Sequence, residues 1–485
     1  MSKNNLPIKL VLQKSTDIVP NTGGGSIKFF GEVTSELKAE ITNKFEGLLS
    51  FYSDVFEEGE AIPAVGKITV KTEAIAKSHK PSDLCRNCPI IGGEDLEEIY
   101  IKVTRKQIQE TIEMINDPPS QKFQANMTAI EDIQPIWPEE KISSELKEFS
   151  TEEFSSIRKM IKLKIFDFHD EFDNTQIWEY VKRKLKEQHL QDRYEIISYG
   201  EHIKFLKVEV DSYQDIVALS AINGVKSVDF FQEYSLPKNN FMTTEMQTFI
   251  EENYRESDVR IGIIDGGISE DNPFLKSYIV AREEYVEKEY QNPMHATFIA
   301  STIQYGNILN NIKSETMYRF KFVDIVAIPN SDKKFGLTDS ITEDELMEII
   351  EDVMKKYASN TKIWNLSLGI ESQPCRGKMS DLGVFLDYIQ DKYNVQMLVS
   401  SGNINSLPLR KWPPQSGLGE HDRLISPADS VRAITVGSVA LYESEKSMVK
   451  YNEPSPFSRR GPGANYIVKP DVVDYGGNLS NSYRI

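Results

Sequence analysis

Cysteine is scarce, with three in 485 residues. So few cannot build a disulfide framework, and they suit a chain that folds in a reducing compartment. Two of them, Cys85 and Cys88, form a C-x-x-C in "DLCRNC". A structural zinc site needs further ligands, and His79 is the one extra candidate nearby. The pair therefore reads as ordinary loop cysteines, and no metal site is expected. Long apolar runs are also missing. No stretch approaches the roughly 18 residues of a membrane span. The N-terminal "MSKNNLPIKLVLQKS" lacks the apolar core of a secretory signal. An intracellular, cytoplasmic protein without a membrane partner is expected. Excess positive charge is absent too: 56 basic residues face 74 acidic ones, a net charge of −18. That balance repels phosphate backbones. The longest basic run is "VKRKLK", so no nucleic-acid partner is expected. No G-x-G-x-x-G follows the strand "VRIGIID", and no G-x-x-x-x-G-K-[ST] occurs. Nucleotide binding is thereby disfavoured, and no cofactor is expected.

What is present is a globular composition, 39% hydrophobic and 27% charged. The length implies two or three domains. Residues 1–140 are irregular, with breaker-rich "NTGGGS" and "NDPPSQ". Strand-like "GKITVKT" and "EEIYIKVT" and a helical "RKQIQETIEM" lie between them, which implies a small α+β domain of unassigned role. Residues 141–159 read as a polar, partly helical linker. Residues 160–237 run β-α-β-β-α-β, the ferredoxin-like order. The first helix of that unit places Ile177, Tyr180, Val181 and Leu185 on one face.

Residues 250–485 change pattern. Short apolar runs "VRIGIID", "YRFKFVDIVAI", "KIWNLSLG", "VQMLVSSG" and "VRAITVGSV" alternate with helical segments. Continuous apolar character implies burial on both faces, as in a mostly parallel sheet. The helix "TEDELMEIIEDVMKKY" has Leu346, Ile349, Ile350, Val353 and Met354 on one stripe, with Thr342 and Glu345 as an expected capping box. A doubly wound α/β domain follows, whose ligands collect at the carboxyl ends of its strands.

Three polar residues fall at such ends. Asp265 closes "VRIGIID" before Gly266 and Gly267. His295 opens "HATFIAS", among small residues Ala296, Ala300 and Ser301. Asn403 closes "MLVSSGN". Each has a plain structural reading as well: an Asp-Gly turn, a helix-start histidine, a turn asparagine. Together they offer a carboxylate, an imidazole base that it can orient, and an amide donor for an oxyanion.

In this order the segments resemble the subtilases, the subtilisin-like serine peptidases. "IGIIDGGI" is similar to the family's Asp motif, "HATFIAS" to its His motif, "WNLSLG" to its substrate-pairing strand and "MLVSSGN" to its oxyanion segment. "SPADSVRAITVGSV", "FSRRGPG" and "KPDVVDYGG" resemble later family segments. The resemblance covers about residues 255–485. It implies peptide-bond hydrolysis, with Asp265 orienting, His295 as general base and Asn403 stabilising the oxyanion. Ser367, Leu368 and Gly369 would bind a protein or peptide substrate. Residues 160–237 would be a propeptide-like unit that inhibits within the same chain.

Two departures matter. Ala296 and Ser301 stand where the family's His motif has glycine. The family's Gly-Thr-Ser-x-Ala-x-Pro motif does not occur, and Ser480 and Ser482 lack its flanking residues. A sequence incomplete at its C-terminus is therefore expected, inactive as a separate chain. The other reading is a non-catalytic, peptide-binding pseudopeptidase.

Overall fold

The computed structural model describes residues 27–75, 80–93, 96–148, 159–200, 203–236, 254–310, 312, 317–329, 339–370, 375, 379–404, 409–414 and 421–479. The chain divides into two compact units. One comprises residues 1–159, 163–193 and 210–228; the other comprises 160–162, 194–209 and 229–485.

The N-terminal part of the first unit is built on β1 (Ala64–Val70), β2 (Ile90–Gly92), β3 (Glu98–Val103) and β4 (Ile130–Pro135). They form an antiparallel sheet in the order β2-β3-β1-β4. Helices Ser35–Phe51, Arg105–Asn116 and Gln121–Ala129 are capped by the side chains of Thr34, Thr104 and Ser120. Each accepts an otherwise orphaned N–H of the first turn. Their apolar faces place Ile41, Phe45, Leu48, Ile108, Ile115 and Phe123 in one core with Ile68 and Ile101. Cys85 and Cys88 belong to that core. Burial pushes the Cys88 thiol up to about 11 and the Cys85 thiol further up, so neither is a ready thiolate ligand. His79 lies outside the described residues, and no metal-ligand cluster occurs among those described.

Strands β5 (Lys159–Ile165), β6 (Tyr194–Tyr199), β7 (Ile203–Val210) and β8 (Val225–Phe230) lie in the order β6-β7-β5-β8. Helix Glu171–Glu187 follows β5 and buries Ile177, Tyr180, Val181 and Leu185. Helix Tyr213–Ala221 follows β7 and opens with a complete capping box between Ser212 and Asp215.

The second unit carries a sheet of seven strands. These are β10 (Tyr254–Asp265), β11 (Ile279–Glu284), β12 (Met317–Val326), β14 (Ile363–Leu366), β15 (Gln396–Ser400), β16 (Ile434–Val439) and β17 (Val472–Tyr475). The order is β11-β12-β10-β14-β15-β16-β17, and every pairing is parallel. Both faces of its centre are covered, which explains the unbroken apolar runs. On one face Ile264, Val323, Ile325, Trp364, Met397 and Val399 share a cluster with Leu346, Ile350 and Val353 of helix Glu343–Tyr357 and Leu382, Phe385 and Ile389 of helix Asp381–Tyr393. On the other, Ile263 and Phe322 meet Ala296, Ala300 and Tyr305 of helix Met294–Leu309. Gly262 is fixed by packing. A Cβ there would lie 2.0 Å from the Trp364 ring, so only a bare backbone fits under that indole. The doubly wound α/β architecture anticipated from the apolar runs is the one observed.

Three short strands carry no such signal in the sequence: β11, β9 (Glu233–Ser235) and β13 (Ser340–Thr342). The last two pair with each other in antiparallel register, Ser340 with Ser235 and Thr342 with Glu233. One expected cap is not made. Thr342 does sit at the N-cap of helix Glu343–Tyr357, but its side chain makes no capping hydrogen bond. The Glu343 N–H, which no N-cap side chain would take, bonds to the Gln232 carbonyl.

Candidate active site

Asp265 is the last residue of β10, at the carboxyl edge of the sheet and one strand from its middle. Its carbonyl accepts the N–H groups of Ala327 and Ile328 at 2.8 and 3.1 Å, which locks the strand end against the segment following β12. Gly266 and Gly267 then turn the chain sharply. Gly267 has φ +92°, and a Cβ there would approach Val326 to 2.8 Å, so glycine is required on both counts.

His295 is the second residue of helix Met294–Leu309. Its Nδ1 lies 2.6 Å from Asp265 Oδ2, and both side chains are buried. The other Asp265 oxygen accepts the Gly266 N–H at 2.7 Å. A carboxylate facing Nδ1 selects the tautomer that carries its proton there, and leaves Nε2 as the basic nitrogen. Ala296 is fully buried beside the histidine, and its methyl group is accommodated with this short contact intact.

Ser367, Leu368 and Gly369 follow β14, the neighbour of β10. Ser367 Oγ donates to Asn365 Oδ1 at 3.0 Å, and Leu368 is buried. The Gly369 carbonyl accepts the N–H of Ser235 at 3.3 Å, in an antiparallel bridge. Residues 233–235 thus meet β13 along one edge and Gly369 along the other. Asn403 follows β15, the next strand over. Its amide is half-buried and engaged by none of the described residues. Asp265, the 367–369 segment and Asn403 therefore stand at the ends of three consecutive parallel strands. Ser480 and Ser482 lie outside the described residues.

The profile of the subtilase family matches residues 256–485. This part of the chain is similar to the subtilases. An uncharacterized protein, y4bN, of Sinorhizobium fredii (strain NBRC 101917 / NGR234) is 34% identical over 137 residues, 24% of this chain and 31% of that protein. Among solved structures, the prenylagaramide maturation protease PagA is 14% identical, over 45% of this chain and 63% of that one, with a TM-score of 0.29. MycP1 from Mycobacterium smegmatis is 15% identical, over 42% and 55%, with a TM-score of 0.26. The chain thus spans under a third of the curated relative's length and under two thirds of either solved chain's.

Within the matched region, four further residues hold this arrangement, and the sequence by itself assigns none of them a role. Asp324 on β12 is fully buried and accepts the Ile268 N–H through both oxygens, at 3.0 and 3.1 Å. Arg282 on β11 donates to Asp324 and also to the Ile268 carbonyl, the latter at 2.8 Å. Thr297 Oγ1 accepts the Ser269 N–H at 2.8 Å, tying the turn after Asp265 to the histidine helix. Arg459 donates to the Asn403 carbonyl at 2.8 Å and to the carbonyls of His421 and Arg423 at 2.7 and 2.9 Å. One signal was legible: Asp324 is an isolated acid within the apolar run "YRFKFVDIVAI". A charge buried in a sheet must have a partner.

Burial pushes Asp324 up to about 6, against the opposing pull of Arg282 and the Ile268 N–H. Because its folded pKa lies above its unfolded value, the folded state binds the proton more tightly. The associated stability is fully present below about pH 4 and is lost as pH rises through about 6. Urea unfolding of Asp324→Asn should lack this component. Between pH 4 and 6 the change in its unfolding free energy is expected to differ from that of the parent by about 2 kcal/mol in total. Identical slopes would mean that Asp324 is ionised across that range.

Proposed function

We propose that residues 256–485 are the greater part of a serine endopeptidase of the subtilase type. The observation that carries this is the 2.6 Å contact between Asp265 Oδ2 and His295 Nδ1 at the carboxyl edge of the parallel sheet. In this reading a serine in a Gly-Thr-Ser-x-Ala-x-Pro segment, which the 485 residues do not contain, attacks the scissile carbonyl. His295 takes the serine proton at Nε2 and returns it to the leaving amine. Asp265 holds the imidazole and stabilises its charged form, and the Asn403 amide donates to the oxyanion. An extended protein substrate adds as a strand along residues 367–369. The pairing of Ser235 with Gly369 supports a role for residues 160–237 in blocking that edge within the same chain.

A second reading, a peptide-binding pseudopeptidase, draws on the same pairing, because a strand can be held at Gly369 without any nucleophile. A fluorophosphonate probe separates the two. The 485-residue chain is expected to remain unlabelled. A chain extended by the serine-bearing segment should label, and His295→Ala should abolish the labelling. An extended chain that never labels would favour the pseudopeptidase.

A further inference from the structure

Residues 233–235 are held as an added strand, so the side chains beside them report what the groove accepts. Tyr234 is fully buried. Its main chain pairs with Ile341 of β13, and the next residue donates its N–H to Gly369. The buried cluster that contains Tyr234 also holds Ile341, Leu368, Ile370, Leu382 and Ile425. At the tip of the ring the surroundings turn polar, for the phenolic oxygen lies 2.7 Å from Ser426 Oγ.

The protons in this chain of hydroxyls can be followed. Asp429 is buried and accepts both the N–H and, at 2.9 Å, the O–H of Ser380. Ser380 has then used its one proton. Its oxygen accepts the Gly383 N–H at 3.0 Å and the Ser426 O–H at 2.6 Å, which fills its lone pairs. Ser426 has used its proton as well, so its oxygen can only accept. With Asp429 ionised, the group facing it is therefore a donor. Tyrosine supplies one. Phenylalanine would leave a buried serine oxygen unpaired, and an acceptor would meet another acceptor.

We infer that this groove selects a peptide with tyrosine one residue before the position whose N–H bonds to Gly369, read by Ser426 at the end of the Asp429–Ser380–Ser426 chain. The inference rests on the reading of residues 367–369 as a peptide-binding edge, and it adds the side chain that the edge prefers. The chain's own Tyr234 then acts as an internal copy of the preferred residue.

The test uses the 485-residue chain with Tyr234→Ala and Ser235→Pro. These changes remove the native side chain and the N–H that pairs with Gly369, and so vacate the groove. The probe is the fluorescent pentapeptide Glu-Tyr-Ser-Leu-Pro, acetylated and amidated, beside its Phe analogue. Fluorescence anisotropy should show the Tyr peptide binding about 10- to 100-fold more tightly, the range expected when a buried acceptor is left unpaired. Adding Ser426→Ala should bring the two within about threefold of each other, whereas a merely structural serine would weaken both alike. Equal binding to the parent groove overturns the tyrosine preference and leaves the peptide-binding edge standing. Failure of both peptides to bind overturns the edge and the preference together. Should the vacated chain not fold, the single and double variants Tyr234→Phe and Ser426→Ala are compared by thermal unfolding in the otherwise native chain. Strongly non-additive shifts are expected; additive ones overturn the proposal.

Discussion

Asparagine in place of Asp265 should lower kcat about 10⁴-fold in a chain extended to include the serine-bearing segment. The argument is one of tautomers rather than of shape. The substituted amide keeps the size of the native side chain and can still accept the Gly266 N–H that Asp265 now takes at 2.7 Å. Where Oδ2 now faces His295 Nδ1, an amide NH₂ can face it instead. That arrangement favours the proton on Nε2, the atom that acts as base in the proposed mechanism. The proposed substrate edge, residues 367–369, does not include Asp265, so KM should change little. Asn403→Ala should cost less, about 10²- to 10³-fold in kcat, as removal of one of several donors to the oxyanion does. Steady-state kinetics on a peptide substrate checks both. A loss confined to KM for Asp265→Asn would exclude the orienting role.

Lys162→Met should destabilise the second unit by about 3–5 kcal/mol, far more than a surface charge change. Lys162 on β5 is buried, with side-chain exposure of 5%. Its ammonium contacts Glu343 and lies 2.8 Å from Asp381 Oδ2. The rings of Phe205 and Phe231 lie 5.8 and 5.9 Å from the nitrogen. Glu343 and Asp381 are the first residues of helices Glu343–Tyr357 and Asp381–Tyr393, where helix dipoles favour anions. Burial by itself would lower the lysine pKa. Asp381, Glu343 and Asp229 together outweigh it, and the group is held above its ordinary value. Methionine fills the volume of the stem but removes the cation that the buried Glu343 and the half-buried Asp381 face. Adding Glu343→Gln should restore part of the loss, because one of those charges goes with it. Urea unfolding monitored by tryptophan fluorescence measures both. A single-variant loss below about 1 kcal/mol would show that the ion cluster contributes no net stability.

The parts of the fold that the sequence made legible are those where burial repeats. Val323, Ile325, Trp364 and Met397 lie in runs apolar enough to be recognised as doubly covered strands. Strand β11 escaped notice because it is the edge strand, and an edge strand is covered too little to need an unbroken apolar run. Strands β9 and β13 escaped because each is three residues long and they pair with each other across more than a hundred positions of sequence. No local pattern records such a partner. The expected Thr342 cap is not made either: its hydroxyl is buried without a hydrogen bond, and the first N–H of the helix, that of Glu343, goes to the distant Gln232 carbonyl.

The candidate site divides in the same way. Asp265, His295 and Asn403 are marked by their positions at strand and helix ends, and those positions follow from local apolar periodicity alone. The absence of a Gly-Thr-Ser segment is likewise a property of the sequence, as are the acidic charge and the scarcity of cysteine. The tertiary structure decided what these residues face. It brought His295 within 2.6 Å of a carboxylate thirty positions earlier, set Arg282 against Asp324, and closed the hydroxyl chain from Tyr234 to Asp429. Periodicity tells which side of an element is buried. Hydrogen-bond partners depend on which distant segments the sheet order makes neighbours, and in a parallel sheet those neighbours are never adjacent in the chain.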